Sequence, residues 1–535
     1  MPFGRICRSL RKKSKSMLIQ IHGAKCIGIQ AFPVVVEVEI TNGIGIHLVG
    51  LADAAVKESL LRTVTALQAC GFHIPGRKII INLAPADMQK KGGGYDLPIA
   101  VGIIAASGQR RLQALGDYLI MGELGLDGGV RPVSGALPMA ELAVHSGLRG
   151  CILPEASALE AADTASIDVY AVRTLSQVLD LLDGDAGALR SLPVKQSAAY
   201  IGLSRTDAPR PAAVDFADII GQSAAKRGLE IAAAGQHNAM LIGAPGSGKS
   251  SLAKALPGIL PPMTTEEALL TSKIYSVAGL GNSQAGLRRI RPFRAPHISA
   301  SKAAMLGGGS GENILPGEVS LAHGGVLFVD EFCEAPKSVL ESLRAPLEER
   351  RVCVSRLKSK VEYPASFMLV GASNPCPCGY YGEGDRCCCS PGVRAAYLGK
   401  LSGPIMDRID IQLWLHPVKT SVLVSGAKEE PSAVVAERVL RAREIQQERF
   451  RGCEIFSNAE MGARELERFC PLGRESRDLL EQIIDRLGLS ARAYTRIIKI
   501  ARTIADLSGE PHILPAHLSE AASYRFLDRR QLLEM

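Results

Sequence analysis

Gly243-Ala244-Pro245-Gly246-Ser247-Gly248-Lys249-Ser250 follows the apolar run Met240-Leu241-Ile242 and precedes the helix-like stretch Ser251 to Leu256. A GxxxxGK[ST] spacing between a strand and a helix is a phosphate cradle. Its glycines let backbone N–H groups turn inward, and the helix N-terminus adds partial positive charge. Lys249 supplies a point charge for β and γ oxygens, and the Ser250 hydroxyl can ligate Mg²⁺. The stretch from Gly243 to Ser251 is therefore read as binding a nucleoside triphosphate.

A second motif adds hydrolysis. Val326-Leu327-Phe328-Val329 suits a strand buried on both faces, and it runs directly into Asp330-Glu331. Acids at the C-terminal end of such a strand lie where open α/β sheets hold ligands. Asp330 is assigned to the Mg²⁺ shell and Glu331 to general-base activation of water. A further buried strand, Ser366 to Val370, ends near Asn374, an amide able to hold the attacking water or the γ-phosphate.

Between these motifs, Arg351 to Val354 and Lys360 to Tyr363 are β-prone stretches around a polar, basic tip, which predicts a hairpin. Beyond Asn374 stand Cys376 and Cys378, then eight residues, then Cys387, Cys388 and Cys389. Thiolates in two close pairs can surround Zn²⁺ tetrahedrally, with no open position for catalysis. Free thiols are the competing reading.

The chain divides into five segments. Residues 1–16 are basic with no apolar run behind them, which excludes a secretory signal and predicts a disordered extension; Met1 and Met17 both stand as candidate starts. Residues 17–190 show strand patterns at Val34–Ile40, Ile44–Leu51 and Lys78–Asn82, and helical patterns over Asp53–Cys70 and from Leu97. Residues 191–213, rich in Ala, Ser and Pro, predict a linker. Residues 214–420 alternate strands and helices around the phosphate loop, and 429–535 carry helical spacing alone, predicting a helical lid.

Over 535 residues the charge is +8, which permits an anionic partner without requiring one. No apolar run reaches membrane-spanning length, so no membrane role is expected. Thirteen cysteines in a large nucleotide-binding chain fit a reduced cytoplasm better than a disulfide framework.

These motifs, with Arg291-Pro-Phe-Arg-Ala-Pro-His297, Leu306-Gly-Gly-Gly309, Pro316-Gly-Glu-Val-Ser-Leu-Ala-His323, Asn374-Pro-Cys-Pro-Cys-Gly379 and Ser402-Gly-Pro-Ile-Met-Asp-Arg408, resemble the magnesium-chelatase-like branch of AAA+ ATPases, and its YifB/ComM group most closely. The resemblance implies an α/β fold in three parts: a Lon-protease-like (ribosomal S5 domain 2-like) α+β domain, an AAA+ core and a helical lid. It matches Asn374 to a sensor, Arg408 to an arginine reaching a neighbour's ATP, and Arg492 to a lid sensor, with Arg496 one turn on as the competing assignment. It selects Cys376, Cys378, Cys387 and Cys389 as the zinc set. It sends Arg356, Lys358 and Lys360 of the hairpin towards DNA phosphates; a solvated hairpin serving ring assembly is the alternative. In the proteases the loop matching Lys90 to Asp96 carries a nucleophilic serine; here it holds glycines, which argues against proteolysis. Lys90 and Lys91 read as a solvated pair before they read as a DNA contact.

The implied protein is a cytoplasmic, Mg-ATP-dependent homo-oligomer, a hexameric ring acting on single-stranded or branched DNA. Its implied task is branch migration or unwinding of recombination intermediates in DNA uptake. A chelatase motor subunit and a remodeller of proteins are the rivals.

Overall fold

Two kinds of apolar pattern, alternating in one part of the chain and continuous in the other, give two differently built sheets. The computed structural model describes residues 18–528 except 91, 165, 205–213, 282–285, 311–312, 357–358, 401–402 and 419–428. The described residues fall into two units, one drawn from Met1–Thr206 with Tyr275–Leu287, the other from Asp207–Ile274 with Arg288–Met535.

In the first unit, strands β1 (Ile19–Ile27), β2 (Gln30–Thr41), β3 (Ile46–Val49), β4 (Lys78–Ala84) and β5 (Tyr118–Ile120) precede a small hairpin of β6 (Glu123–Leu124) and β7 (Val130–Arg131). Strands β8 (Gly150–Pro154) and β9 (Asp168–Val172) complete a mixed sheet of order β3-β4-β2-β1-β5-β8-β9. Along β2 the residues Val34, Val36, Val38 and Ile40 are buried while their neighbours are not, the period of a sheet with one face on the core. The helix Asp96–Ser107 is apolar on every face and buried from Asp96 through Ala105. It lies so close to β2 that a Cβ on Gly102 would stand 2.5 Å from Val38 Cγ2, so the crossing requires glycine. Among the described residues no helix is long and apolar enough to cross a membrane.

The segment Tyr275–Leu287 joins this unit through a buried carboxylate. Glu160, 4% exposed, accepts hydrogen bonds from the Ala136 N–H at 3.0 Å and the Ser276 hydroxyl at 2.6 Å. Burial raises its pKa from 4.5 to about 7, against the lowering effect of those donors. The folded unit thus binds a proton that the unfolded chain has released. The stabilisation is complete below the unfolded value of 4.5 and is lost as the pH rises to about 7, at roughly 1.4 kcal/mol per pK unit. Asp96, buried beside Arg62 and raised to about 6, acts in the same sense. Urea unfolding at pH 5 and pH 8 is expected to show the first unit weaker at pH 8. Glu160→Gln should shrink that difference by about 3 kcal/mol; an undiminished difference would remove Glu160 as its source.

The expected linker is folded up to residue 204. A turn at Val194–Gln196 and a helix at Ala198–Ser204 follow β9, and Val194, Ala199 and Tyr200 pack on the first core. These three apolar side chains outweigh the loop-like composition around them. Residues 205–213 and the basic extension lie outside the described residues.

The second unit contains β10 (Ala239–Gly243), β11 (Phe293–Arg294), the pair β12 (Gly307–Ser310) and β13 (Asn313–Pro316), β14 (Val326–Val329), the pair β15 (Arg351–Arg356) and β16 (Ser359–Pro364), β17 (Met368–Ser373) and β18 (Ile411–Leu415). Five of these form a parallel sheet of order β11-β14-β17-β10-β18. Strands β10, β14 and β17 are buried at every position, as a sheet covered on both faces demands. The C-terminal helices Ser432–Arg449, Arg474–Leu487, Ala491–Leu507 and Pro515–Ser523 share one apolar core with this sheet, so the segment expected to be a separate lid belongs to the same unit as the phosphate-loop sheet. Val439, Ile497 and Ile504 pack in the cluster that holds Leu241 and Leu413. A polar tie crosses that packing: His237 meets Asp410 at 3.3 Å and Thr503 at 2.8 Å, while Arg496 bonds Asp410 at 3.1 Å. Burial pushes Asp410 up, but the hydrogen bond with His237 and the charge of Arg496 hold it well below the usual carboxylate range.

Candidate functional site

Three neighbouring strand ends assemble the first half of the site. β10 pairs with β17 and β17 with β14, all parallel, so Gly243, Ser373 and Val329 finish along one edge of the sheet. The phosphate loop leaves β10 and closes on the helix Lys249–Ala255. Lys249 is folded back into its own loop. Its ammonium donates to the carbonyls of Gly243 at 2.6 Å and Ala244 at 2.9 Å, and to Asn374 Oδ1 at 3.2 Å. Burial lowers its pKa, and the charge of Asp330 opposes that shift. The Ser250 hydroxyl donates to Asp330 Oδ2 at 2.9 Å, so the two expected Mg²⁺ ligands already face one another. Asp330 also accepts the Glu331 N–H at 2.9 Å.

Glu331 holds φ +48°, a left-handed conformation for a residue with a full side chain. Such a residue costs about 1–3 kcal/mol and persists where its surroundings enforce it. Its carboxylate is exposed, turned out of the apolar strand that precedes it. Lys249, Ser250, Asp330, Glu331 and Asn374 thus come together as the sequence expects.

The cleft beside the loop has a volume of about 500 Å³. Pro245 to Gly248 and Ser251 form its floor, and Ile219, Ile220 and Val418 give it an apolar end. Gln222 at its edge donates to Ser247 O at 3.0 Å and His416 O at 2.7 Å, tying the segment before the first helix to the loop. Sequence reading passed over this segment. Its signal was Ile219-Ile220-Gly221-Gln222, an apolar pair and a turn just ahead of the helix that leads to β10.

The two arginines lie elsewhere. Arg408 follows the short helix Gly403–Met406, and Arg492 opens the helix Ala491–Leu507. Both line a pocket of about 330 Å³ with Arg350, Arg496 and Lys499, and none of the described phosphate-loop residues reaches it. Arg408 pairs with Glu348, and Arg492 with Asp407. Burial, then the charges of Arg344, Arg492 and Arg496, lowers the pKa of Arg408, so positive charge is crowded here. Arg492 and Arg496 now separate. Arg496, 15% exposed, is bound to Asp410 and to the Ile409 carbonyl at 3.0 Å, whereas the Arg492 side chain is 70% exposed.

The basic hairpin forms as read. β15 and β16 pair antiparallel, with Arg356 opposite Ser359 and Ser355 opposite Lys360. Lys360 is exposed, Arg356 closes β15, and Lys358 lies outside the described residues.

The four cysteines selected by the resemblance converge. The Sγ atoms of Cys376, Cys378, Cys387 and Cys389 all lie within 4.8 Å of one another, while Cys388 is exposed apart from the set. Cys376 to Cys378 is 3.3 Å and Cys378 to Cys387 is 3.6 Å. Four thiolates at this spacing fit a closed tetrahedral Zn²⁺ site.

Lys90 corrects one expectation. It is 0% exposed and its ammonium bonds the Pro85 carbonyl, so it is neither solvated nor open to a polyanion. Parallel pairing of Ala52 with Lys90 holds its backbone in place. Lys91 lies outside the described residues.

Comparison with known proteins places the whole chain. Profiles of the magnesium chelatase subunit ChlI match residues 215–423 and 36–157, and that of its C-terminal region matches 429–525. Competence protein ComM of Haemophilus influenzae is 43% identical over 515 residues, covering 95% of this chain and 97% of the relative. An uncharacterised protein YifB of Salmonella typhimurium is 41% identical over 511 residues, with the same two coverages of 95% and 97%. The archaeal Lon protease of Methanocaldococcus jannaschii is 27% identical over 154 residues, 28% of this chain and 23% of that protein.

Proposed function

The chain belongs to the YifB/ComM family of magnesium-chelatase-like AAA+ proteins, and from that premise we propose that it is an Mg-ATP-driven ring motor that moves on DNA. One observation carries the reading. The cluster in which Lys249 meets Asn374 and Ser250 meets Asp330, with Glu331 next in the chain, and the cationic pocket holding Arg408 and Arg492 are two halves of a phosphoryl-transfer site, and none of the cluster's residues lines that pocket. A second copy, docking its arginine pocket against the first copy's cleft, completes both. Such head-to-tail contacts close into rings, here a hexamer.

The chemistry follows from the groups present. Lys249 binds the β and γ oxygens; Ser250 and Asp330 hold Mg²⁺, which neutralises charge on those oxygens. Glu331 takes the proton of the attacking water, and Asn374, beside Lys249, orients that water or the γ-phosphate. Arg408 and Arg492 of the neighbouring copy stabilise the charge that develops on the transferred group.

DNA as the track is supported by the competence relative and by the basic hairpin, whose Lys360 is exposed and whose Arg356, Lys358 and Lys360 we assign to gripping phosphates without reading bases. Branch migration of recombination intermediates during DNA uptake is the task we assign. Cys376, Cys378, Cys387 and Cys389 hold a structural Zn²⁺. The glycines of the loop between Lys90 and Asp96 leave the first unit without a peptidase nucleophile.

ATP turnover measured with and without single-stranded and branched DNA tests this reading. Several-fold stimulation, with strand displacement that Lys249→Ala abolishes, is the expected result. Turnover indifferent to every DNA tested would refute the DNA motor and favour the chelatase-type or protein-remodelling alternatives.

A further inference from the structure

The loop between the two cysteine pairs is also a wall of the nucleotide cleft. Tyr380, Glu383 and Arg386 line the cavity opposite Pro245 to Gly248. Every other side of this loop is fastened. At its start the Gly379 N–H donates to the Cys376 carbonyl at 3.0 Å, and Gly379 itself, at φ +86°, rests on the phosphate loop. A Cβ there would stand 2.8 Å from Pro245 Cδ, so the loop and the phosphate cradle touch directly. In its middle Tyr381 packs edge-on against Trp414 at 6.2 Å, with Arg394 4.2 Å over its other side. The four thiols clamp both ends.

The cleft-facing side is built differently. The Arg386 guanidinium lies 4.3 Å over the Tyr380 ring and pairs with Glu383 at 2.9 Å. A cation stacked on a ring and steadied by one carboxylate is held ready for a polyanion with a flat body. The remaining walls already supply the rest of such a site, with phosphate-binding amides on one side and the apolar Ile219, Ile220 and Val418 on the other.

Resting on the reading of this cleft as the ATP site, we propose that Tyr380 and Arg386 bind the nucleotide directly and that the thiolate clip sets its affinity by holding them there. Arg386 adds a second cation to the one that Lys249 provides in the same subunit. Loss of the clip would release the loop, and with it both contacts.

Binding of a fluorescent ATP analogue with Mg²⁺, read by anisotropy, tests this without measuring turnover. Arg386→Ala should weaken binding about tenfold, the worth of one charge-assisted hydrogen bond. Tyr380→Ala should weaken it in the same direction and Tyr380→Phe should not. The double substitution Cys378→Ser with Cys387→Ser should reproduce the Arg386→Ala loss while thermal unfolding of the second unit stays cooperative. Arg386→Ala and Tyr380→Ala binding within twofold of wild type would overturn the contact. A double cysteine variant of full affinity would overturn the role of the clip. A wild type that binds no nucleotide at all would overturn the ATP reading together with this one, and is distinguishable because no variant then matters.

Discussion

Arg408→Ala is expected to bind Mg-ATP as tightly as wild type and to hydrolyse it about 10³-fold or more slowly, the range known for a guanidinium supplied across an interface. Binding is spared because Arg408 lines the cationic pocket and not the cleft around Pro245 to Gly248. On the proposed reading hydrolysis is lost, because that guanidinium would meet phosphate oxygens of the neighbouring copy only as their charge builds. Arg408 stands among Arg344, Arg492 and Arg496, a crowd of like charge that Glu348, Asp407 and Asp410 offset only in part. Lysine should not substitute, since a forked donor set is replaced by a single ammonium. Arg496→Ala makes the useful contrast. Its bonds to Asp410 and the Ile409 carbonyl hold the last helices to the sheet, so that variant should lose stability before it loses catalysis. Single-turnover kinetics with a parallel binding measurement decides both points. Arg408→Ala at wild-type rate would remove the arginine from the reaction.

Glu331→Gln is expected to give the second large effect, a fall of about 10²–10⁴ in turnover with nucleotide affinity unchanged. The exchange keeps shape and removes only the proton acceptor, while Ser250 and Asp330 remain paired to receive Mg²⁺. The left-handed backbone at this position is kept as well, so the variant should fold normally. Asp330→Asn differs in kind: it weakens Mg-dependent binding as well as turnover. Rapid-quench measurement of bound ATP separates the two, since Glu331→Gln should accumulate uncleaved ATP on the protein. Product forming at wild-type rate would reassign the base.

Much of the nucleotide site was legible in the sequence because its parts are local and their types are forced. A phosphate loop needs glycines at fixed spacing, and a buried parallel strand needs an unbroken apolar run, so Gly243–Ser250 and Val326–Glu331 announced their setting in the sheet. Two close groups of cysteines were legible in the same local way, while the choice of Cys389 over Cys388 came from the family resemblance and is met by the convergence of the four thiols. Other features depend on distant residues meeting. Arg408 and Arg492 share a pocket although 84 positions separate them, and nothing in either segment's pattern states that their pocket excludes the phosphate loop. Glu160 reads as a surface acid until Ser276 arrives from the middle of the chain to bury it. Lys90 reads as solvated until the fold buries it against the Pro85 carbonyl. Tyr380 and Arg386 read as loop filler, and only the contact of Gly379 with Pro245 turns that loop towards the cleft. The start of the expected linker is folded because three apolar side chains, Val194, Ala199 and Tyr200, outweigh a polar composition.

The central claim is that one copy's arginine completes another copy's site, and mixing two dead variants tests it most directly. Arg408→Ala keeps an intact cleft, and Lys249→Ala keeps an intact arginine pocket. Combined in equal amounts under assembly conditions, they should regain ATP turnover that neither shows alone, up to about a quarter of wild type if subunits mix at random around a head-to-tail ring. A mixture as inactive as its two components, in rings shown to contain both, would contradict the account.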